Sequence, residues 1–466
     1  MRILSTAALA AALALTAAIP NAGAAKPKGG GAAPAPPPSS SLELKVVRDT
    51  LANGLVILLH EDHSVPAVTF WQWYRVGSRN EYPGITGISH YFEHMMFNGS
   101  KHVPPKEYDR ILESNGGYSN AFTDRDMTAY YEDLASDRLG VALFLDSDRM
   151  AALSLLPEQL ASEIGVVKEE RRLRTDNDIF GMLDEQLWAT AFNASTYRWP
   201  VVGWMGDLER ITREDMVEYF RVHYAPDNCI LVLVGDFQAA AALDSIRAYF
   251  GPIPRQPRPP EPPDSEPAQR GERRVAVHYP AQNVTFMIGY KAPAARDPDL
   301  PALQVLGSIL GDGESSRLHQ ALVYDKQIAL FAGTDLQGSL EPTLFQVYAQ
   351  LKPGQSAAAG LAAVDEVLDR LVREGPTARE LQKAKNLLEA GYVRSLKTNN
   401  GVGQRLGYYE HVYGDYHAMF EVVDRYRAVT AEDCRRVAKK YFDPLQRTVS
   451  ELVPESDSGA APSAAP

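Results

Sequence analysis

Short apolar runs rich in β-branched and aromatic residues, at 55–59 and 68–73, predict two strands. The turn sequence Asp62-His63-Ser64-Val65-Pro66 parts them. A helical spacing over 105–115 stops at Gly116-Gly117, a favourable place for a helix to end. Residues 118–123 and 128–134 predict a strand pair turning at Asp124-Arg125-Asp126. Helices follow to about residue 175, and another spans 213–223. The apolar run Cys229-Ile230-Leu231-Val232-Leu233-Val234 predicts a buried strand with a turn at Gly235-Asp236.

All periodicity breaks at 252–263, where seven prolines and no apolar face predict an exposed, stiff linker. Extended to residue 271, it divides the chain into halves at 44–251 and 272–453. The second half echoes the first in outline. Strands near 274–277 and 284–290 precede a helix at 300–310. A strand at 345–351, helices at 358–373, 377–396 and 431–441, and a last strand at 447–452 complete it. Strands mixed with helical runs indicate the α+β class, with helices on one face of largely antiparallel sheets.

Composition adds the ends and the compartment. Residues 1–24 carry Arg2, an Ala/Leu-rich run and Ala22-Gly23-Ala24, the pattern of a cleavable export signal. A Gly/Ala/Pro/Ser tether (25–43) and a similar tail (454–466) have nothing to bury and are expected to be disordered. The expectation is an exported protein, periplasmic or else secreted, with no membrane span in the mature chain. The net charge of -12 is dispersed, which argues against a nucleic-acid partner. Two cysteines, Cys229 and Cys434, are too few for a disulfide scaffold and read as small buried residues.

The candidate chemistry lies in His90-Tyr91-Phe92-Glu93-His94. Positions three and four apart share a helix face, so His90 and His94 can turn two imidazoles towards one ion with Glu93 beside them. This is the inverted form of the His-Glu-x-x-His zinc motif, in which a glutamate serves as general base. A tetrahedral site needs a third protein ligand. A second helical run holds Glu163, Glu169 and Glu170. Glu163 and Glu170, two turns apart, share a face, while Glu169 points about 100° away.

With these motifs the chain resembles the inverted-zincin peptidases: pitrilysin, insulin-degrading enzyme and mitochondrial processing peptidase. It is most similar to their bacterial two-subunit, processing-peptidase-like branch. In that family a glutamate some 76 residues after the second histidine is the third ligand, which falls on Glu170, with Glu163 in the place of an accompanying glutamate. Val76-Gly77-Ser78-Arg79-Asn80-Glu81, Phe97-Asn98-Gly99-Ser100, Asn120-Ala121-Phe122-Thr123 and Tyr224-Ala225-Pro226-Asp227-Asn228 resemble further family landmarks, in order. The resemblance implies two homologous α/β-roll domains forming half of a clamshell. It implies one zinc ion on His90, His94 and Glu170, Glu93 as catalytic base, and Glu163 orienting a ligand through a hydrogen bond. It also implies an exposed edge strand at Asn120, Ala121 and Phe122 that pairs with an extended substrate.

The chain departs from the family in one respect. Where single-chain and partner-type members carry an Arg and a Tyr seven apart in the second half, this chain has Tyr324 and Phe331. Tyrosine lacks the guanidinium fork, and phenylalanine lacks a hydroxyl to donate. The expectation is therefore the zinc-bearing subunit of a heterodimer whose partner supplies that pair, with a homodimer as second choice. Arg317 is off register by seven and reads as structural. Two function classes stay open: a zinc endopeptidase acting on short or unfolded peptides, and a non-catalytic structural subunit of a larger complex.

Overall fold

A computed structural model describes residues 43–257, 261–262 and 266–455. The expected signal at 1–24, nearly all of the tether, most of the tail and parts of the linker lie outside the described residues. The first half builds a six-stranded mixed sheet from β1 (Val47–Thr50), β2 (Val56–Glu61), β3 (Ala67–Tyr74), β4 (Tyr118–Thr123), β5 (Thr128–Ala135) and β6 (Cys229–Gly235). Its order is β1-β2-β6-β3-β5-β4, with β2 and β6 parallel and every other pair antiparallel. The second half builds a five-stranded sheet from β7 (Arg273–Tyr279), β8 (Thr285–Ala292), β9 (Ala329–Asp335), β10 (Thr343–Leu351) and β11 (Arg447–Pro454). Its order is β7-β11-β8-β10-β9, again with one parallel pair, β7 with β11.

Leaving out β1, the two sheets have one topology. Counted along each half, the strands lie in the order first, fifth, second, fourth, third, with first and fifth parallel. The fold is α+β, two repeats of one design. Strand β9 is thus the counterpart of β4, and each forms an edge of its sheet.

Both faces of each sheet are covered, for a reason visible in β6. Its alternate residues Cys229, Leu231 and Leu233 join the core beneath the first half's own helices. Ile230, Val232 and Val234 pack on the opposite face. A strand buried on both faces must be apolar at every position, as this one is. The helix covering that second face, Asn399–Tyr413, comes from the second half and seats Val402, Leu406 and Tyr409 against Trp71 and Trp73. Reciprocally, the first half's helix Ile179–Ala191 lays Leu183 and Leu187 on Met287, Leu344 and Leu452 of the second sheet. The halves therefore exchange one helix each.

The linker is anchored at both ends. Ile253 is buried in the first core, and the Glu266 carboxylate accepts from the main-chain N–H groups of Asn193, Ala194 and Ser195. Cys229 and Cys434 are buried and unbonded to each other. Strand β11 runs two residues beyond the expected 452. No described helix is long and apolar enough to cross a membrane.

Candidate active site

The motif lies on helix Ile88–Met95, every residue of which is buried. Its N-terminus is built by the preceding turn. The Glu81 carboxylate accepts from the N–H groups of Gly87, at 2.7 Å, and Ser89, at 2.8 Å, satisfying donors a helix start leaves over. Gly87 has φ +90, and a Cβ there would lie 2.5 Å from the Val202 carbonyl oxygen, so only glycine fits. The second ligand helix, Pro157–Arg171, begins with proline at its first position and continues as a π-helical turn to Asp176.

The two helices bring His90, His94 and Glu170 together, one donor atom from each lying within 4.8 Å of the others. Glu170 Oε2 is 3.2 Å from His94 Nε2 and 3.7 Å from His90 Nε2. Donors about 2.1 Å from one tetrahedral zinc ion would be roughly 3.4 Å apart, so the set suits that ion. The hydrogen bonding agrees. His94 Nδ1 meets Glu163 Oε1 at 2.9 Å, and Asn98 Nδ2 donates to Glu163 Oε2 at 2.8 Å. A proton held at Nδ1 leaves the Nε2 lone pair facing Glu170, and Nε2 is buried with no hydrogen-bond partner despite the 3.2 Å approach. Two lone pairs that close call for a cation between them.

Both oxygens of Glu93 are likewise buried without a hydrogen-bond partner. Burial raises its carboxyl to about 7, so it can both take up and release a proton near neutral pH. Burial lowers His90 to about 3, leaving it neutral and able to ligate. For His94 burial acts downward, but the neighbouring carboxylates of Glu163, Glu170 and Glu93 outweigh it and raise the ring to about 9, so before an ion binds a second proton on Nε2 takes the cation's place facing Glu170. Burial would raise Glu170, yet His94, His90 and Arg174 hold it down to about 2.

Glu169 points away, 64% exposed and paired with Arg172. Strand β4 pairs only with β5 among the described strands, so its outer edge offers main chain to an extended peptide. Ala121 is buried in the core, and Phe122 packs edge-on against Trp73 at 5.6 Å. Thr123 lines a cavity of about 710 Å³ together with His90, Glu170 and residues of the second half, among them Asp335, Gln337 and Tyr348. Tyr324 and Phe331 do not line it. Tyr324 is 69% exposed, and Phe331, on β9, packs against Phe180 at 5.7 Å. Sequence reasoning gave no role to three supporting residues: Glu81 and Asn98, which it named only within family landmarks, and Arg174. Arg174 pairs with Glu170 Oε1 at 3.1 Å, one turn further along the helix, and that i,i+4 spacing was a usable signal.

Residues 56–203 match the model of the "Insulinase (Peptidase family M16)" family, and residues 210–388 that of the "Peptidase M16 inactive domain". The zinc protease PqqE of Helicobacter pylori is 31% identical over 409 residues, covering 87% of this chain and 92% of that one. The chain belongs to peptidase family M16. A crystal structure of a protease from Helicobacter pylori superposes with a TM-score of 0.85 at 31% identity, covering 88% of this chain and all of that one. The probable mitochondrial-processing peptidase subunit beta of Arabidopsis thaliana is 24% identical, covering 88% of this chain and 78% of that one. The M16 pattern accounts for the asymmetry of the halves. In the second half the helix that follows the second strand, Leu300–Gly311, has no histidine and no glutamate.

Proposed function

We propose that this M16 chain is a catalytically competent, exported zinc endopeptidase acting on short or unfolded peptides. The observation that carries the reading is the convergence of His90, His94 and Glu170 with Glu93 beside them, all in place and His94 oriented by Glu163. His90, His94 and Glu170 would hold the ion. Zinc in such a set supplies Lewis acidity towards water and the scissile carbonyl. Glu93 takes a proton from the attacking water on a carboxylate oxygen and passes it to the leaving amine, base first and acid afterwards. The outer edge of β4 holds the peptide extended by main-chain pairing, which tolerates varied sequence. Because Phe122 and Ala121 are committed to the core, β4 contributes backbone rather than side-chain selection there.

The leader-like residues 1–24 support export to the periplasm, or secretion. Tyr324 lacks a guanidinium fork and Phe331 lacks a hydroxyl, which supports a heterodimer in which a related subunit carries the missing Arg and Tyr; a homodimer is the second choice. The deciding experiment measures zinc content and cleavage of an unstructured peptide, with Glu93→Gln as control. About one zinc per chain, cleavage by the parent and a loss of roughly 10²- to 10⁴-fold in Glu93→Gln are expected. Equal turnover in that variant would exclude the mechanism. No turnover with any partner would favour a structural subunit.

A further inference from the structure

One buried polar network ties together the two halves' contributions to the cavity. Asp124, Arg125 and Asp126, the turn that follows β4, line it from the first half; Gln337, Gly338 and Ser339, between β9 and β10, line it from the second. The Asp126 carboxylate accepts from the Tyr197 hydroxyl at 2.5 Å and from the Leu340 N–H at 2.8 Å, bonding both halves at once. The Tyr197 oxygen accepts in turn from the Glu341 N–H at 3.2 Å. Arg79 Nη2 donates to the Glu341 carboxylate at 2.5 Å, and Nε of the same guanidinium lies 3.8 Å from Asp126. Main chain reinforces the joint: the N–H groups of Ser78 and Arg79 donate to the carbonyls of Asp124 and Arg125 at 3.1 and 2.9 Å. Gly77 permits that approach, since a Cβ there would lie 2.4 Å from the Asp124 carbonyl oxygen. His411, on the exchanged helix, meets the Asp126 carbonyl at 3.1 Å.

Arg79, Asp126 and Glu341 are all buried. A buried ionic joint is seldom more stable than well-packed apolar side chains of the same volume. What it adds is direction, because each hydrogen bond weakens steeply off its angle. The same short segment also reaches the metal-site helix, since Glu81 closes the N-terminus of Ile88–Met95.

We propose that the Arg79–Asp126–Tyr197–Glu341 network is a substrate-positioning device: it fixes the spacing between the end of β4 and the 337–341 loop, and with it the groove an extended peptide enters. The proposal rests on the peptidase reading. These residues are positioning residues; among the contacts above, none reaches His90, His94, Glu170 or Glu93. Loosening the network weakens peptide binding equally before and during reaction, so KM rises while kcat holds.

Two mild variants test it. Tyr197→Phe removes the one oxygen that bridges Asp126 and Glu341, and Glu341→Gln keeps the shape but not the charge. Each is combined with Glu93→Gln, and binding of a fluorescent unstructured peptide is followed by anisotropy alongside zinc content and melting temperature. Each is expected to keep the parent's zinc and to weaken peptide binding about tenfold, with KM rising by the same factor in the active background and kcat within about twofold. Unchanged peptide affinity with a lower melting temperature would overturn the proposal, leaving a purely structural joint. Loss of zinc, or a fall in kcat at constant KM, would overturn it by assigning the network to the metal site. Lack of cleavage by the parent would defeat the peptidase reading alone, because the anisotropy comparison still decides the positioning claim. A parent that binds no peptide defeats both.

Discussion

Two adjacent glutamates differ by a third of a helical turn, and that rotation separates a solvated charge from a candidate ligand. Glu170 is 14% exposed and faces the histidines, whereas Glu169 is 64% exposed and pairs with Arg172. His90→Ala and Glu170→Ala are therefore expected to lose bound zinc, with Glu169→Ala keeping the parent's amount, as measured by atomic absorption on gel-filtered protein. The reverse pattern for the two glutamates would refute the assignment. Glu163 makes a finer case. Its carboxylate holds His94 Nδ1, so Glu163→Gln should weaken zinc by about 10- to 100-fold in chelator competition with the fold intact. The ligand spacing was legible because it is local to helices. The roles of Glu81 and Asn98 were not: Glu81 reaches Gly87 and Ser89 only through the shape of an irregular turn, and Asn98 meets Glu163 across 65 positions.

At the scale of elements, the exchanged helix carries a sharp test. Gly407 sits against Trp73, where a Cβ would come 2.1 Å from the indole Nε1, and Gly403 sits similarly against Trp71. In an exposed helix, glycine to alanine stabilises by about 1 kcal/mol through propensity. Here overpacking against a fully buried indole should win, and Gly407→Ala is expected to destabilise by about 1–3 kcal/mol in denaturant unfolding. A gain in stability would mean the helix is not seated as described. In the second half Arg317, read from sequence as structural, grips the Glu380 carboxylate at 2.7 and 2.9 Å and donates to the Gly375 carbonyl. Burial acts to raise the Glu380 carboxyl, but Arg317 and Thr377 hold it down to about 2, against 4.5 for the free group. A carboxyl lowered on folding stabilises above its free value, and that contribution is lost as the pH falls from about 4.5 towards 2. Arg317→Met should thus lower the melting temperature near neutrality and flatten its decline as the pH falls from about 4.5 towards about 2. An acid profile parallel to the parent's would remove the pair from the account.

For the whole molecule, two sheets of one topology meet with only the first bearing the metal motif, and the cavity is lined by both. The two positions expected to replace an Arg and a Tyr do not themselves line that cavity: Tyr324 is exposed, and Phe331 packs behind Phe180, which does line it. At matched zinc loading, adding a related subunit that carries the pair should raise peptide cleavage by about 10²- to 10³-fold, the scale of one oxyanion donor. Full activity of the isolated chain, unchanged by any such partner, would refute the heterodimer.

Residues 90–94 and the two-turn spacing of Glu163 and Glu170 were decided by sequence alone, because helix geometry converts spacing into a shared face without help from the rest of the chain. So was the β4–β5 hairpin, whose strands and turn are contiguous. The edge position of β4, expected only through the family resemblance, and strand β9 were not, since strand order depends on pairings far apart in sequence. Nor was the exchange of helices: Ile179–Ala191 and Asn399–Tyr413 have apolar residues that fit any covered sheet, and only the packed structure selects the other half's. The joint of Arg79, Asp126, Tyr197 and Glu341 belongs to the same class. Each residue is an ordinary charge or hydroxyl in sequence, and burial beside partners up to 262 positions away makes them one network.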